Sequence, residues 1–211
     1  MIKNIIFDFD GTLADTSQLI VATMQKTIIE LNLPYRNGDQ IRSTIGIRLE
    51  EIPSRLWPKI ENIAKKYADV YRMNFEKLKH EIKVELYPNV KETLESLKKN
   101  KINLAIATSR SHKSVEELLK QLDINNYFSY ILGGDDVKEG KPNPESILKI
   151  LKEKNWKEVE TLMVGDMDVD ILMGKNAGIR TCGVSYGNGT ETDLKEAGAT
   201  LIINDFSELN N

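Results

Sequence analysis

Hydrophobic residues in this chain gather in short runs that are separated by longer stretches with helical periodicity. Between the runs, apolar side chains recur every three or four residues, as in Val90, Leu94 and Leu97. Buried strands that alternate with helices predict an α/β fold with a Rossmann-like core, in which a mainly parallel sheet has helices on both faces. The runs that predict strands are residues 2–7, 102–107, 130–132, 161–164, 180–185 and 200–203, of which 130–132 gives the weakest signal.

The stretch of residues 16–86 breaks this alternation. Apolar side chains at helical spacing, such as Ile63 and Tyr67, run through it, but it contains no convincing strand. Pro88 then fixes a turn that leads back into a core helix. We therefore predict an all-helical cap domain inserted in a discontinuous core domain, with the cap at residues 16–81 and the core at residues 1–15 and 82–211.

Composition narrows the choice of partners. The chain has 211 residues, of which 40% are hydrophobic and 29% charged, a balance typical of a folded globular protein. A net charge of −3 offers no basic surface for nucleic acid or for an anionic membrane, so an anionic ligand requires a local positive site. No run of about 20 apolar residues occurs. We expect a cytoplasmic protein, either a monomer or a homodimer, that binds no nucleic acid and no membrane.

The single cysteine, Cys182, cannot form an internal disulfide, which suits a reducing compartment. It lies in an apolar run with no histidine nearby. We therefore favour a buried strand cysteine over a nucleophile.

Polar side chains follow the ends of four of the apolar runs, where open α/β sheets bind their ligands. Carboxylates that meet at one edge repel each other, and a hard divalent cation with oxygen ligands would hold them ionised. Mg²⁺ usually combines one or two carboxylates with a substrate phosphate, so this set suits phosphoryl transfer. The segments concerned are Asp8-Phe-Asp-Gly-Thr12, Thr108-Ser-Arg110, Gly140-Lys-Pro-Asn-Pro144 and Gly165-Asp-Met-Asp-Val-Asp170.

These four segments, in this order, resemble the four motifs of the haloacid dehalogenase-like hydrolases. The motifs span almost the whole chain, and the four together are far more specific than any one alone. The helical insertion resembles the small cap of the phosphoglycolate phosphatase-like branch. Further segments resemble that branch in particular, namely Gly133-Gly-Asp-Asp-Val137, Lys141-Pro-Asn-Pro144 and Gly183-Val-Ser-Tyr-Gly187.

The resemblance implies catalytic roles. Asp8 would attack phosphorus and carry the phosphoryl group, while Asp10 would protonate the leaving oxygen and later activate water. Their spacing lets both carboxylates face the same side of an extended segment. Gly11 would allow a sharp turn beside the substrate. Thr108 would donate a hydrogen bond to a phosphoryl oxygen, helped by the backbone of Ser109, and Lys141 would neutralise charge.

The resemblance also implies a metal site. Asp166 would bind Mg²⁺ together with the Asp8 carboxylate and the backbone carbonyl of Asp10. Asp170 could bind the metal through water, or it could instead cap the helix that follows. Asp168 fits an exposed position or a helix cap better than a metal site.

Each site residue has a simpler alternative. Asp8 to Thr12 could form only a polar turn, Lys141 could lie on the surface, and Thr108 could cap a helix in competition with Ser111. The presence of all four segments in order favours the functional assignments.

Two arginines are candidate substrate ligands. Arg110 could bind a substrate anion or lie in solvent. Arg48, in a segment that resembles the substrate-facing cap loop, could bind a substrate carboxylate or second phosphate, or be a surface residue that opens the next helix.

A phosphatase fits better than other activities of this family. Dehalogenases typically lack the second acid, which Asp10 supplies here, and phosphomutases carry a histidine that is absent from residues 17–22. A phosphonatase would need a Schiff-base lysine in the cap. A binding protein on a dead phosphatase fold would have lost Asp8, Asp10 or Lys141, and all three are present.

Phosphoglycolate is the first candidate substrate. Pyrophosphate, nucleoside monophosphates and sugar phosphates are alternatives. Two departures weaken the first candidate, because Thr108-Ser-Arg110 stands where many phosphoglycolate phosphatases have Thr-Asn-Lys, and Asn89 follows Pro88 where glycine is common.

Overall fold

Strands and helices alternate in the core part of the chain, and a helical segment interrupts the alternation after the first strand. The structure is a computed structural model that describes residues 1–210. In chain order the elements are β1 (Asn4–Phe7), β2 (Ala14–Asp15), α1 (Ser17–Glu30), α2 (Gly38–Arg42), α3 (Ile52–Leu56), α4 (Ala64–Leu78), β3 (Glu85–Leu86), α5 (Val90–Lys99), β4 (Asn103–Ala107), α6 (His112–Gln121), β5 (Tyr130–Leu132), α7 (Glu145–Lys154), β6 (Thr161–Gly165), α8 (Asp168–Asn176), β7 (Arg180–Val184), α9 (Glu191–Ala197) and β8 (Leu201–Ile203).

Within residues 1–210, six strands form one parallel sheet in the order β5-β4-β1-β6-β7-β8. The six predicted strands are therefore confirmed, and no strand end differs from its predicted position by more than two residues. The first strand of the chain lies in the middle of the sheet, between β4 and β6. This order brings the segments that follow β1, β4 and β6 to one edge of the sheet.

Both faces of the sheet are buried, as the continuous apolar runs predicted. Along β1, the side chains of Ile5 and Phe7 join one hydrophobic cluster, whereas Ile6 joins the opposite one. This alternation is the two-residue period of a strand. The first cluster contains side chains of α5 and α6, and the second contains side chains of α7 and α8. The fold is thus a Rossmann-like α/β layer structure with helices on both faces.

The apolar stripes that predicted the core helices lie on helices of the structure. The stripe Val90, Leu94 and Leu97 is buried on α5. Stripes with the same spacing are buried on α6 (Val115, Leu118, Leu119) and on α7 (Ile147, Ile150, Leu151). In residues 1–210, no helix combines the length and the apolar character that crossing a bilayer requires.

The segment between β1 and α5 contains the helices α1 to α4. These helices bury a hydrophobic cluster of their own, which includes Met24, Ile45, Trp57 and Tyr67. The division into a cap of residues 16–81 and a core of residues 1–15 and 82–211 stays a prediction, and residue 211 lies outside the described residues.

A short antiparallel ladder joins the two ends of this helical segment. Ala14 pairs with Leu86 and Asp15 pairs with Glu85. Neither β2 nor β3 was predicted, because strands of two residues are too short for an alternating pattern. The ladder fixes the points where the chain leaves and re-enters the core.

Candidate active site

Asp8 lies directly beyond the central strand β1. Its backbone N–H donates to the carbonyl of Val164 in β6, which extends the sheet by one residue and aims the side chain into the site. The carboxylate is 1% exposed, and its Oδ1 accepts a 2.6 Å hydrogen bond from Lys141 Nζ. Its other oxygen, Oδ2, is buried and has no hydrogen-bond partner among residues 1–210. Burial raises the pKa of Asp8 well above its usual range, and Lys141 only partly offsets this.

Asp10 faces the same cavity as Asp8 and is held by three donors. Thr16 Oγ1 donates to its Oδ1 over 2.6 Å, while Arg110 donates through Nη2 to Oδ1 over 2.5 Å and through Nε to Oδ2 over 3.1 Å. Both side chains of the ion pair are about one-tenth exposed. A bidentate pair of this kind orients a carboxylate more firmly than a single contact does.

Arg110 is buried, so the alternative that it lies in solvent is wrong. Its guanidinium is 5.0 Å from the ring centre of Phe75 on α4 and 5.9 Å from that of Phe9. The remaining Nη1 donates to Ser114. Arg110 therefore connects Asp10 to an aromatic residue of the helical segment.

Gly11 turns the chain away from the site with a φ of +82°, a conformation that favours glycine. A Cβ at this position would lie 2.1 Å from Oδ2 of Asp166, so the close approach also requires glycine. The glycine thus allows Asp166 to lie against the loop after β1.

Thr108 and Ser109 lie beyond the end of β4 and both line the cavity. The Thr108 hydroxyl accepts from the backbone N–H of Arg110, and the Thr108 side chain is nearly buried. Ser109 Oγ donates to the carbonyl of Gly46 over 2.6 Å, which ties this loop to the helical segment. Ser111 precedes α6 without a side-chain capping bond.

Lys141 is a buried side chain and not a surface one. Its Nζ lies 2.6 Å from Oδ1 of Asp8 and 2.6 Å from Oδ1 of Asp170. Although burial lowers the pKa of Lys141, the two carboxylates outweigh this and raise it above its usual value. The lysine is therefore a permanent cation between two acids.

Three buried carboxylates, those of Asp8, Asp166 and Asp170, form one cluster in which an oxygen of each lies within 4.8 Å of the others. Burial and the neighbouring Asp170 raise the pKa of Asp166 to about 7, although its hydrogen bonds lower it. Oxygen donors at this spacing suit a hard divalent cation, and the unpartnered Oδ2 of Asp8 offers it a free ligand atom. The residues present therefore fit a divalent metal ion.

The position of Asp170 fits both of the alternatives that the sequence left open. It lies in the first turn of α8, where its Oδ2 accepts from the backbone N–H of Met167, and it also belongs to the carboxylate cluster. Asp168 begins the same helix and is only partly buried.

Arg48 lines the cavity, but its guanidinium is bound by the opposite loop. Its guanidinium donates to the backbone carbonyls of Gly134, Val137 and Lys138, all in the loop that leads to Lys141. It does not open a helix, since α3 begins at Ile52, so the alternative of a helix-opening surface residue is wrong.

Sequence reasoning missed the residues that orient Asp166. Asn188 donates to its Oδ2 through both the backbone N–H and the side-chain amide, and Thr12 donates to its Oδ1. Asn188 follows the end of β7, so the rule applied to four strand ends could have found it at a fifth. Cys182, in contrast, is the buried strand cysteine that was predicted, and burial raises its pKa to about 12.

A cavity of about 760 Å³ opens above Asp8 and Asp10. Thr108, Ser109 and Arg110 form its base, and its remaining walls come mainly from the helical segment. A substrate whose phosphate reaches Asp8 would therefore extend its other end toward the helices.

Comparison with known proteins agrees with this geometry. Residues 5–184 match the model of the haloacid dehalogenase-like hydrolases. A phosphoglycolate phosphatase of Vibrio vulnificus is 37% identical, with 99% of this chain and 94% of the relative covered. The pyrophosphatase PpaX of Halalkalibacterium halodurans is 33% identical, with 99% and 95% covered. A haloacid dehalogenase-like family hydrolase from Streptococcus pneumoniae superimposes with a TM-score of 0.86 at 26% identity, with 99% of this chain and 96% of that chain covered.

The chain belongs to the haloacid dehalogenase-like hydrolases. Within that family it is a phosphatase of the phosphoglycolate phosphatase-like kind, a phosphoric monoester hydrolase. Phosphatases of this family typically use a divalent metal ion, and the carboxylate cluster fits one.

Proposed function

We propose that the chain hydrolyses a small-molecule phosphomonoester with Mg²⁺, through a phospho-aspartate at Asp8. The observation that carries the proposal is the environment of the Asp8 carboxylate. One oxygen is bound by a buried lysine, and the other is free of hydrogen bonds and lies beside two further carboxylates. An oxygen without a hydrogen bond keeps its lone pairs available for attack or for a metal.

In this proposal each residue of the site has its own chemical role. Asp8 attacks phosphorus, and Lys141 neutralises both the nucleophile and the phosphoryl group. Asp10, oriented by Thr16 and Arg110, protonates the leaving oxygen and later takes a proton from the attacking water. Thr108 and the backbone of Ser109 bind phosphoryl oxygens, and Gly11 leaves room for them.

Asp8, Asp166, Asp170 and the carbonyl of Asp10 would hold the ion. A bound Mg²⁺ supplies charge neutralisation for the transferring phosphoryl group and lets the clustered carboxylates stay ionised. Asn188 and Thr12 keep Asp166 in position through their hydrogen bonds.

Arg48 and Arg110 stay candidate substrate ligands on one condition. Arg48 would have to release three carbonyl oxygens, and Arg110 would have to release Asp10, before either could bind a substrate anion. In each case the hydrogen bonds to the substrate would have to compensate for the hydrogen bonds that the arginine loses.

The relatives supply the first substrates to test. Phosphoglycolate comes first because of the Vibrio vulnificus relative, and pyrophosphate comes second because of PpaX. Nucleoside monophosphates and hexose phosphates complete the panel.

The test is phosphate release with Mg²⁺ from this panel and from 4-nitrophenyl phosphate. We expect the native chain to turn over at least one compound and Asp8→Asn to lose a thousand-fold or more, roughly the effect of removing a nucleophile. Asp168→Asn is the matched control, because it makes the same change at a partly buried position outside the cluster. Equal rates for native chain and Asp8→Asn would show that Asp8 is not the nucleophile.

A second outcome would favour a non-catalytic binding protein. It is the absence of turnover with every compound in a folded, Mg²⁺-loaded sample that nevertheless binds inorganic phosphate. Calorimetry with phosphate on the same sample separates this outcome from an inactive preparation.

A further inference from the structure

The cavity above Asp8 is apolar where it enters the helical segment. Side chains of α1 and of the loop between α2 and α3 line it, among them Ile20, Met24, Ile45 and Leu49. Three of these, Ile20, Met24 and Ile45, belong to the buried cluster of the helices and are at most 8% exposed, whereas Leu49 is partly exposed. We call this part of the cavity the apolar chamber.

The cavity is large for the substrates that the relatives' names provide. Cavities of roughly 300–1,000 Å³ commonly hold ligands of drug size. Glycolate has two carbons, so phosphoglycolate would fill only a small part of 760 Å³. Most of the cavity volume would then be left to water, whereas a larger alcohol would fill it.

The charges in the cavity lining also disfavour an anionic leaving group. Within residues 1–210, carboxylates outnumber cations in that lining. Arg110 is bound by Asp10 and Arg48 by three carbonyl oxygens. Arg72 pairs with Glu50, and Lys113 lies at the exposed side near Glu117. A second anion would have to compete with these partners and face the remaining carboxylates.

We propose that the preferred substrate is a phosphomonoester whose leaving alcohol is uncharged and largely apolar, and that the apolar chamber binds this alcohol. The proposal rests on the proposed phosphatase function and deepens it by naming the substrate class. The phosphate lies at Asp8, and the carbon chain passes Asp10 and Arg110 into the chamber. Hydrolysis breaks the bond between phosphorus and the alcohol oxygen, the alcohol leaves with one proton, and water supplies the oxygen of the released phosphate.

The first test uses alkyl phosphates whose alcohols have similar acidity, so that chemical reactivity stays constant. We expect kcat/KM to rise from ethyl to butyl to 2-phenylethyl phosphate, by about fourfold for each methylene that becomes buried. Phosphoglycolate should fall below 2-phenylethyl phosphate by tenfold or more. A flat series, or phosphoglycolate above all alkyl esters, would overturn the proposal while leaving the phosphatase function intact.

The second test changes the chamber itself. Leu49→Gln places an amide at a partly exposed position of the lining, where the fold tolerates it. The ratio of kcat/KM for 2-phenylethyl phosphate to that for ethyl phosphate should fall about tenfold. Ile60→Gln is the matched control, because Ile60 packs against the same helical cluster but does not line the cavity. The same loss in both variants would mean a general effect on the helices and would contradict a binding role for Leu49.

A binding measurement keeps the proposal testable without turnover. Calorimetry with Mg²⁺ compares ethylphosphonate, butylphosphonate, 2-phenylethylphosphonate and phosphonoacetate, none of which has a hydrolysable ester bond. Affinity should rise along the three neutral-tailed compounds, and phosphonoacetate should bind no better than ethylphosphonate. Tighter binding of phosphonoacetate, lost in Arg110→Gln, would overturn the proposal and assign the second anion to Arg110.

Discussion

The carboxylates of Asp10 and Asp8 have different hydrogen-bond partners. Both acids follow the same strand two residues apart, yet Asp8 has an oxygen without a hydrogen bond, whereas Asp10 is held by Thr16 and by both ends of the Arg110 fork. A carboxylate that is tightly oriented suits directed proton transfer better than attack on phosphorus. The hydrogen bonds thus support the proposed division of roles between the two acids.

Asp10→Asn should separate proton transfer from phosphoryl transfer. We expect kcat/KM for an alkyl phosphate to fall about 10²- to 10⁴-fold, the range of a lost general acid. For 4-nitrophenyl phosphate, whose leaving group needs no proton, the fall should stay within about tenfold. Steady-state kinetics with both substrates on native chain and variant give the comparison.

The two substrates control for each other, because misfolding would reduce both rates alike. Asp10→Asn removes the carboxylate that pairs with Arg110, so the free energy of unfolding of the variant should drop by about 3 kcal/mol. The kinetic assays should therefore be run well below the melting temperature of the variant. Equal losses for the two substrates would remove Asp10 from the role of general acid.

At the scale of elements, Arg48 joins two loops that are far apart in sequence. Its three bonds connect the loop between α2 and α3 to the loop that precedes Lys141, and Ser109 adds a further bond to the carbonyl of Gly46. This arrangement fixes the helical segment over the cavity. Loss of a contact that holds two elements together lowers kcat/KM for every substrate. Loss of a substrate ligand lowers kcat/KM only for substrates that carry the group it binds.

Arg48→Gln should therefore lower kcat/KM for ethyl phosphate and phosphoglycolate alike, on the order of tenfold, because charged hydrogen bonds contribute about 1.5 kcal/mol net. Amide hydrogen exchange in residues 134–140 should rise by a similar factor. Arg42→Gln is the matched control, since Arg42 is a surface arginine of the same helical segment and forms an ion pair with Asp39. A loss confined to phosphoglycolate, with unchanged exchange, would instead identify Arg48 as a ligand for its carboxylate.

Elements and loops differed in how far the sequence could predict them. The strands of the sheet were predictable because burial on both faces leaves continuous apolar runs, as in β1 and β4. The β2–β3 ladder was not, because two residues carry no pattern. The partners of Arg48 are backbone carbonyls, which every residue has, so no side-chain pattern could indicate them. Asn188 follows the end of β7, so the rule about strand ends could have drawn attention to it. Its contact with Asp166, however, depends on the order of the strands in the sheet.

At the scale of the whole molecule, the site is formed by strand order. The carboxylates of Asp8 and Asp166 are 158 positions apart in the sequence but adjacent in space, because β1 and β6 are neighbours in the sheet. Burying these acids together with Asp170 is costly, since like charges repel in a medium of low polarity. The lysine at position 141 offsets only part of that cost. A divalent cation that binds these carboxylates in the folded chain should therefore raise the free energy of unfolding of the entire fold.

Mg²⁺ should raise the melting temperature of the native chain, measured by differential scanning fluorimetry against a sample with chelator. At a concentration of 100 times Kd, binding adds about 2.7 kcal/mol. For a chain of this size that corresponds to a shift of about 5–10 °C. Asp166→Asn should reduce the shift to a small fraction of the native value, because it removes one of the three carboxylates, whereas Asp168→Asn should keep it.

For the same variant we expect no loss of stability when metal is absent. In chelator, Asp166→Asn should melt at the same temperature as the native chain or higher, because it removes a charge from a crowded acidic cluster while its amide oxygen still accepts from Asn188. Lower stability in chelator together with an unchanged Mg²⁺ shift would mean that Asp166 has a structural role and that the ion binds elsewhere. A higher melting temperature in chelator, together with loss of the Mg²⁺ shift, would mean that Asp166 destabilises the metal-free fold by charge repulsion and binds the ion.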